Sequence, residues 1–253
     1  MAALLRRISR AQSSLAATAA ASDAVSSCAF YRLVYFDTRG AAEPIRLALA
    51  IARAPFEDIR YPMGTTATGF SLAPHYIQDR NAGKFAINMN SLPVLHVQEP
   101  DGHVHSLGQS HAILRYIGIR HGLTGATSRE TAAIDCLCEC VRDIKSKWFR
   151  VKGVKGDAQT RRDAKQRWWA SELPEACLKL EAAIAAITPV HPETPWLVGA
   201  SVSLADVTMY HLLSTPTSLV SGCVVSFFDG EGERVRAALA PCPRLGASVA
   251  AVG

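Results

Sequence analysis

Five groups of residues have the types and spacing to do chemistry. Cys136, Cys138 and Cys140 form C-x-C-x-C in a helix-patterned stretch. On a helix, Cys136 and Cys140 share a face and Cys138 points away. That is poor geometry for tetrahedral zinc, and no second ligand group accompanies them. Buried small apolar side chains are the expectation there. His103 and His105 alternate along an extended run and share one of its faces; two histidines alone make a weak metal site, and surface or core positions account for them. Ser110, after Gln109, opens a helical run. The free N–H groups and dipole of a helix start favour a carboxylate, and a plain N-cap serine fits the same position. Tyr35 ends an apolar run just before a turn, and taken alone it reads as a packing aromatic. Lys145–Lys155, KSKWFRVKGVK, interleaves basic and aromatic residues. A nucleic-acid patch and a solvated helix end both have that pattern.

The elements that must position these residues begin at Phe30. Residues 31–36, YRLVYF, form a β-prone run of the kind found in a mostly buried strand. A turn over 37–40 follows. Glu43-Pro44 opens a helix, since proline is tolerated in a first turn. Ile45 to Ala52 continue it, and Pro55 ends it. FEDIRY (56–61) is a second strand. Residues 62–90 are rich in Gly, Thr and Asn and read as a long loop with one short helix near 74–81; long loops in compact domains are usually functional. Strands over 92–97 and 103–107 flank the turn Glu99-Pro-Asp-Gly102 as a hairpin. A helix runs from His111 and stops at Gly122. The order β-α-β-(loop, helix)-β-β-α fits an α/β, thioredoxin-like domain with a mixed four-stranded sheet.

After Thr124 the strand signals vanish. Ile134, Leu137, Val141, Ile144 and Trp148 recur at three- and four-residue steps along a long helix from Ser128. A second helix is expected over 157–186, and Ser203 with Asp206 is a capping-box variant opening another. The expected organisation is a domain over 29–122 and an all-α helical bundle over 127–253.

Residues 1–28 stand apart from both. The stretch 1–27 is rich in Ala, Ser and Arg and has no acid before Asp23. That composition fits an organelle transit peptide for a mitochondrion or plastid. A disordered extension of a cytoplasmic protein is the alternative. Removing its three arginines and one aspartate lowers the formal net charge from +5 to +3, too little to invoke nucleic acid. Seven cysteines, an odd number, argue against a disulfide framework and for a reducing compartment. No run approaches the roughly 18 apolar residues a membrane span needs.

Four stretches resemble the tyrosine-type, sigma-like glutathione transferases: YRLVYFDTRGAAEPIRLALAIARAPFEDIRY, SLPVLHV, SLGQSHAILRYIGIRHGLTG and WLVGASVSLADVTMYHLL. The likeness covers roughly residues 30–215 in unbroken order. It implies a homodimer with glutathione as co-substrate, no metal, and an apolar electrophile as the second substrate. It also implies that Tyr35 donates a hydrogen bond to the glutathione sulfur. A thiol of pKa about 8.5 forms little thiolate at pH 7, so such a donor accelerates attack. Pro93 would be cis, turning Leu92 outward to pair with the cysteinyl backbone. Gln109 and Ser110 would bind the γ-glutamyl group, Lys84 the glycyl carboxylate, with Arg39 beside the tyrosine. Asp143 would reach the glutathione ammonium across the dimer interface, a solvated carboxylate being the alternative. Cys140, Ile144 and Trp148 would line the second-substrate pocket or else form core.

The sequence departs from the family at Ala41 and Ser91, where relatives often carry basic residues, in the long 62–90 segment, and in its short end after Pro243. These departures give weight to a non-catalytic glutathione-binding or structural member of the fold; a glutathione-dependent isomerase or peroxidase, which needs the same thiolate, is a further alternative.

Overall fold

The computed structural model describes residues 28–66, 69–187, 194–214, 227–228 and 231–252. The transit peptide or extension expected at the N-terminus lies outside them, Cys28 excepted. The chain divides into two compact units, one ending at His121 and the other beginning at Gly122.

The first unit runs β1 (Phe30–Phe36), α1 (Glu43–Ile51), β2 (Phe56–Tyr61), β3 (Met63–Thr66), β4 (Gly69–Leu72), α2 (Pro74–Asn81), β5 (Val94–Gln98), β6 (Val104–Gly108) and α3 (Ser110–Arg120). Its main sheet has the order β2-β1-β5-β6. β1 and β2 are parallel, and the other pairs antiparallel. This is the mixed sheet the strand order calls for. The two central strands carry Leu33, Val34, Val94, Leu95 and Val97, all buried, as strands covered on both faces require. α1 buries Ile45, Ala48 and Leu49 and packs against α3.

The segment 62–90 is not the expected long loop. β3 and β4 form a separate antiparallel ribbon, with Met63 opposite Leu72. MGTT and GFSL are too short and too polar to announce strands, and main-chain hydrogen bonds hold such a ribbon without an apolar pattern. α2 and the 3₁₀ turn Ala86–Asn88 follow. Tyr76 and Phe85 anchor this region in a core cluster with Val34, Tyr61 and Val94. Their rings stack 5.8 Å apart.

The second unit comprises α4 (Ser128–Lys152), α5 (Ala158–Arg167), α6 (Leu173–Ile187), α7 (Leu204–Leu213), α8 (Gly232–Leu239) and α9 (Pro243–Val252). Its described residues contain no strand. The Thr127 hydroxyl caps α4 by accepting from the Glu130 N–H at 3.1 Å. The helix expected as continuous over 157–186 is broken by a π-helical segment, Trp168–Glu172. Pro174 explains the break. It has no N–H, and its ring crowds the carbonyl of residue 170. Ser203 and Asp206 form both halves of a capping box. The fully buried Asp206 carboxylate also accepts from the Leu197 N–H and the Ser248 hydroxyl, each at 2.9 Å. Ser248 belongs to α9, so the residues after Pro243 dock on the capping segment. No described helix is long and apolar enough to cross a membrane.

Candidate active site

Strand register assembles the corner. Val34 stands opposite Val94, and Val94 opposite Gly108. One residue beyond each lie Tyr35, Pro93 and Gln109, at the same end of three neighbouring strands. At about 4.8 Å per strand, Tyr35 and Gln109 are separated by roughly 10 Å, with Pro93 between them.

Tyr35 is half-buried, and its oxygen accepts a hydrogen bond from the Ala41 N–H at 3.1 Å. With one acceptor site so occupied, the phenolic proton is left to be donated elsewhere. Gly40 makes the approach possible: a Cβ there would fall 2.6 Å from the Tyr35 hydroxyl, and its φ is +40°. Arg46 on α1 braces the turn. Its guanidinium donates to the Thr38 carbonyl at 2.8 Å, to the Phe36 carbonyl at 3.4 Å and to the Asp58 carboxylate at 3.0 Å. It lies 5.8 Å from the centre of the Tyr35 ring, so a buried positive charge sits beside the phenol. Arg39 pairs with Glu43 at 2.9 Å, and its Nη1 is buried without a hydrogen-bond partner among the described residues.

The Leu92–Pro93 peptide is cis. Leu92 precedes the first β1–β5 pair, Val34 with Val94, so its main chain stands outside that ladder. Asn88 ties this bend to its neighbour. Its amide donates to the Pro93 carbonyl at 2.9 Å and the Ser91 carbonyl at 3.2 Å. Its oxygen accepts from the Gln109 N–H at 2.9 Å and the Gln109 Nε2 at 2.8 Å. Gly108 admits this contact, since a Cβ there would stand 2.7 Å from the Ile87 carbonyl oxygen. Gln109 adopts φ +66°, an uncommon conformation for a residue with a side chain. Ser110 is the first residue of α3, where N–H groups have no helical acceptor.

The remaining expected residues lie elsewhere or have other partners. Lys84 is exposed and pairs with Asp79 at 2.7 Å. The lysine's hydrogen bond, and then that of Tyr61, hold the Asp79 carboxyl below the usual carboxylate range. In the second unit Asp143 is exposed on α4. Ile144 and Trp148 are buried, and Trp148 packs against Trp168, Trp169 and Phe228 with ring centres 5.3–5.6 Å away. That packing accounts for Trp148 as core. The expectation that the C-x-C-x-C cysteines are all buried is corrected: only Cys138 is, while Cys140 is half-buried and Cys136 exposed. The buried stripe runs through Ile134, Leu137 and Val141, and the pair at 136 and 140 lies off it. His103 and His105 do share a face, their rings 6.0 Å apart. No cluster of three or more metal-ligating side chains occurs among the described residues.

Sequence reasoning missed Asn88, Arg46 and Gly40. Asn88 sits in a polar stretch without periodicity, and Arg46 interrupts an apolar helix run, the one signal of its role.

Comparison with known proteins gives consistent relatives. The chain is 30% identical to glutathione S-transferase Mu 1 of Oryctolagus cuniculus over 77% of its length and 80% of that protein. It is 30% identical to glutathione S-transferase P 1 of Xenopus laevis over 76% and 79%. The Pi-class glutathione S-transferase of Onchocerca volvulus superposes with a TM-score of 0.61 at 26% identity, covering 88% of this chain and 86% of that one. The sigma-class enzyme of Fasciola hepatica shares the fold, with a TM-score of 0.56 at 20% identity, over 86% and 94%. No family model matches the chain.

Proposed function

Since the chain belongs to the glutathione S-transferase family, we propose that it activates the glutathione thiol at Tyr35 and conjugates it to apolar electrophiles. The observation that carries this reading is the register that sets Tyr35, Pro93 and Gln109 side by side. The Tyr35 hydroxyl donates to the sulfur, favouring thiolate over thiol. The Ala41 N–H on the phenol oxygen and the nearby Arg46 charge both favour that donation. Leu92 pairs with the cysteinyl backbone like an added strand. Gln109 and the α3 N-terminus at Ser110 take the γ-glutamyl carboxylate. Lys84 or Arg39 takes the glycyl carboxylate, Lys84 after leaving Asp79. In a homodimer, Asp143 faces the ammonium of the glutathione bound to the other subunit. The electrophile is a small apolar molecule.

The test is conjugation of glutathione to an aryl halide. Tyr35→Phe is expected to lose at least about tenfold in kcat/KM, equal to about 1.4 kcal/mol of thiolate stabilisation. Unchanged turnover would remove Tyr35 from the chemistry. A second reading, a non-catalytic glutathione-binding protein, draws on Ala41 and Ser91, where the family resemblance often implies basic residues. Retention on immobilised glutathione without wild-type turnover would favour it.

A further inference from the structure

Cys136 and Cys140 stand one turn apart on α4, the first exposed and the second half-buried. An i, i+4 pair on a helix has Cβ atoms about 5–6 Å apart, on one face. Cys138 between them faces the core, its thiol reached by the Thr208 hydroxyl at 3.6 Å. The surface pair therefore has a geometry that none of the catalytic groups uses.

We propose that Cys136 and Cys140 form a two-thiol site that captures monosubstituted trivalent arsenicals as a cyclic dithiolate. The acceptor's coordination suits what α4 provides. Tetrahedral zinc wants four ligands, and no cluster of three occurs among the described residues. An arsenic atom carrying one carbon substituent needs only two sulfurs. A direct disulfide needs Cβ atoms about 3.5–4.5 Å apart, closer than an undistorted helix turn holds them; a bridge through an added atom spans the wider gap. In the step, both thiols lose a proton, the two As–O bonds of the hydrated arsenical break, and two As–S bonds form with release of two waters. Arsenic remains trivalent, so no oxidant or reductant takes part. Once Cys136 is bonded, closure by Cys140 is intramolecular, and the effective concentration of the second thiol exceeds that of free monothiols in solution. The site would thus hold its ligand against the glutathione proposed to bind the same protein. The capture chemistry does not depend on Tyr35.

The experiment treats the native full chain with one equivalent of phenylarsine oxide, adds excess glutathione, and measures covalent mass under denaturing conditions. The expected result is a single adduct that survives glutathione and is released by dithiothreitol. Cys136→Ser and Cys140→Ser should each lower the surviving adduct at least about tenfold, while Cys28→Ser, also an exposed thiol, leaves it unchanged. Circular dichroism establishes that the variants are folded. A wild-type adduct stripped by glutathione, or one that persists in either single variant at α4, overturns the proposal.

Discussion

Replacing Asn88 with alanine removes the brace between the cis-proline bend and the glutamine–serine corner. Asn88 is buried, and its side chain makes four hydrogen bonds within the first unit. Three of its partner groups are main-chain: the Ser91 and Pro93 carbonyls and the Gln109 N–H. The fourth, the Gln109 amide, belongs to an exposed side chain and re-pairs with water. At about 0.5–1.5 kcal/mol net for each of the three main-chain bonds, the expected loss is about 1.5–4.5 kcal/mol. Urea denaturation should show a lower midpoint with an unchanged slope. Kinetics should separate the two halves of the corner. The glutathione KM should rise at least about tenfold, because Leu92 and Gln109 lose their common support. kcat should change less, since Tyr35 is held independently through Ala41 and Gly40. A stability loss below about 0.5 kcal/mol together with an unaltered KM would refute the bracing role.

Gly40→Ala places a Cβ 2.6 Å from the Tyr35 hydroxyl at a left-handed φ; steady-state assays should show kcat falling at least about tenfold as the phenol is displaced. Asp206→Ala strands the Leu197 and Ser203 N–H groups and the Ser203 and Ser248 hydroxyls; urea denaturation should register a loss of about 3–5 kcal/mol. Burial lowers the Lys145 amine from 10.5 to about 8, and the groups facing it are His211 at 2.9 Å, Cys138 and the Phe227 ring. Between about pH 8 and 10.5 the unfolded chain holds a lysine proton that the folded chain has released, so stability should rise with pH across that window and lose this contribution to the slope below it. Lys145→Met should abolish the rise in denaturation series from pH 7 to 10.

The parts of the fold legible in the sequence are those where burial leaves a pattern. The central strands announce themselves as apolar runs, the Glu99–Gly102 turn by its residue types, and α4 by its stripe. The capping box is legible because Ser203 and Asp206 are local partners. What escaped notice depends on contacts distant in sequence or on main-chain pairing. The β3–β4 ribbon has no apolar alternation to read. The π segment follows from one proline inside an otherwise helical run, and helix periodicity passes over it. Asn88 meets Gln109 across 21 residues, and a lone polar residue before a proline strand gives no sign of such a partner. Tyr35 and Gln109 could be singled out by resemblance, but their placement at one end of the sheet follows from register, which depends on how three strands align.

The hydrogen bond that the phenol oxygen receives comes from the polypeptide itself at position 41. The side chain there is exposed, so it can be replaced without touching the donor. Proline alone would silence it, because proline alone lacks the amide hydrogen. A feature carried by the main chain is in this sense indifferent to residue identity, and substitutions at 41 can leave the bond to the phenol intact.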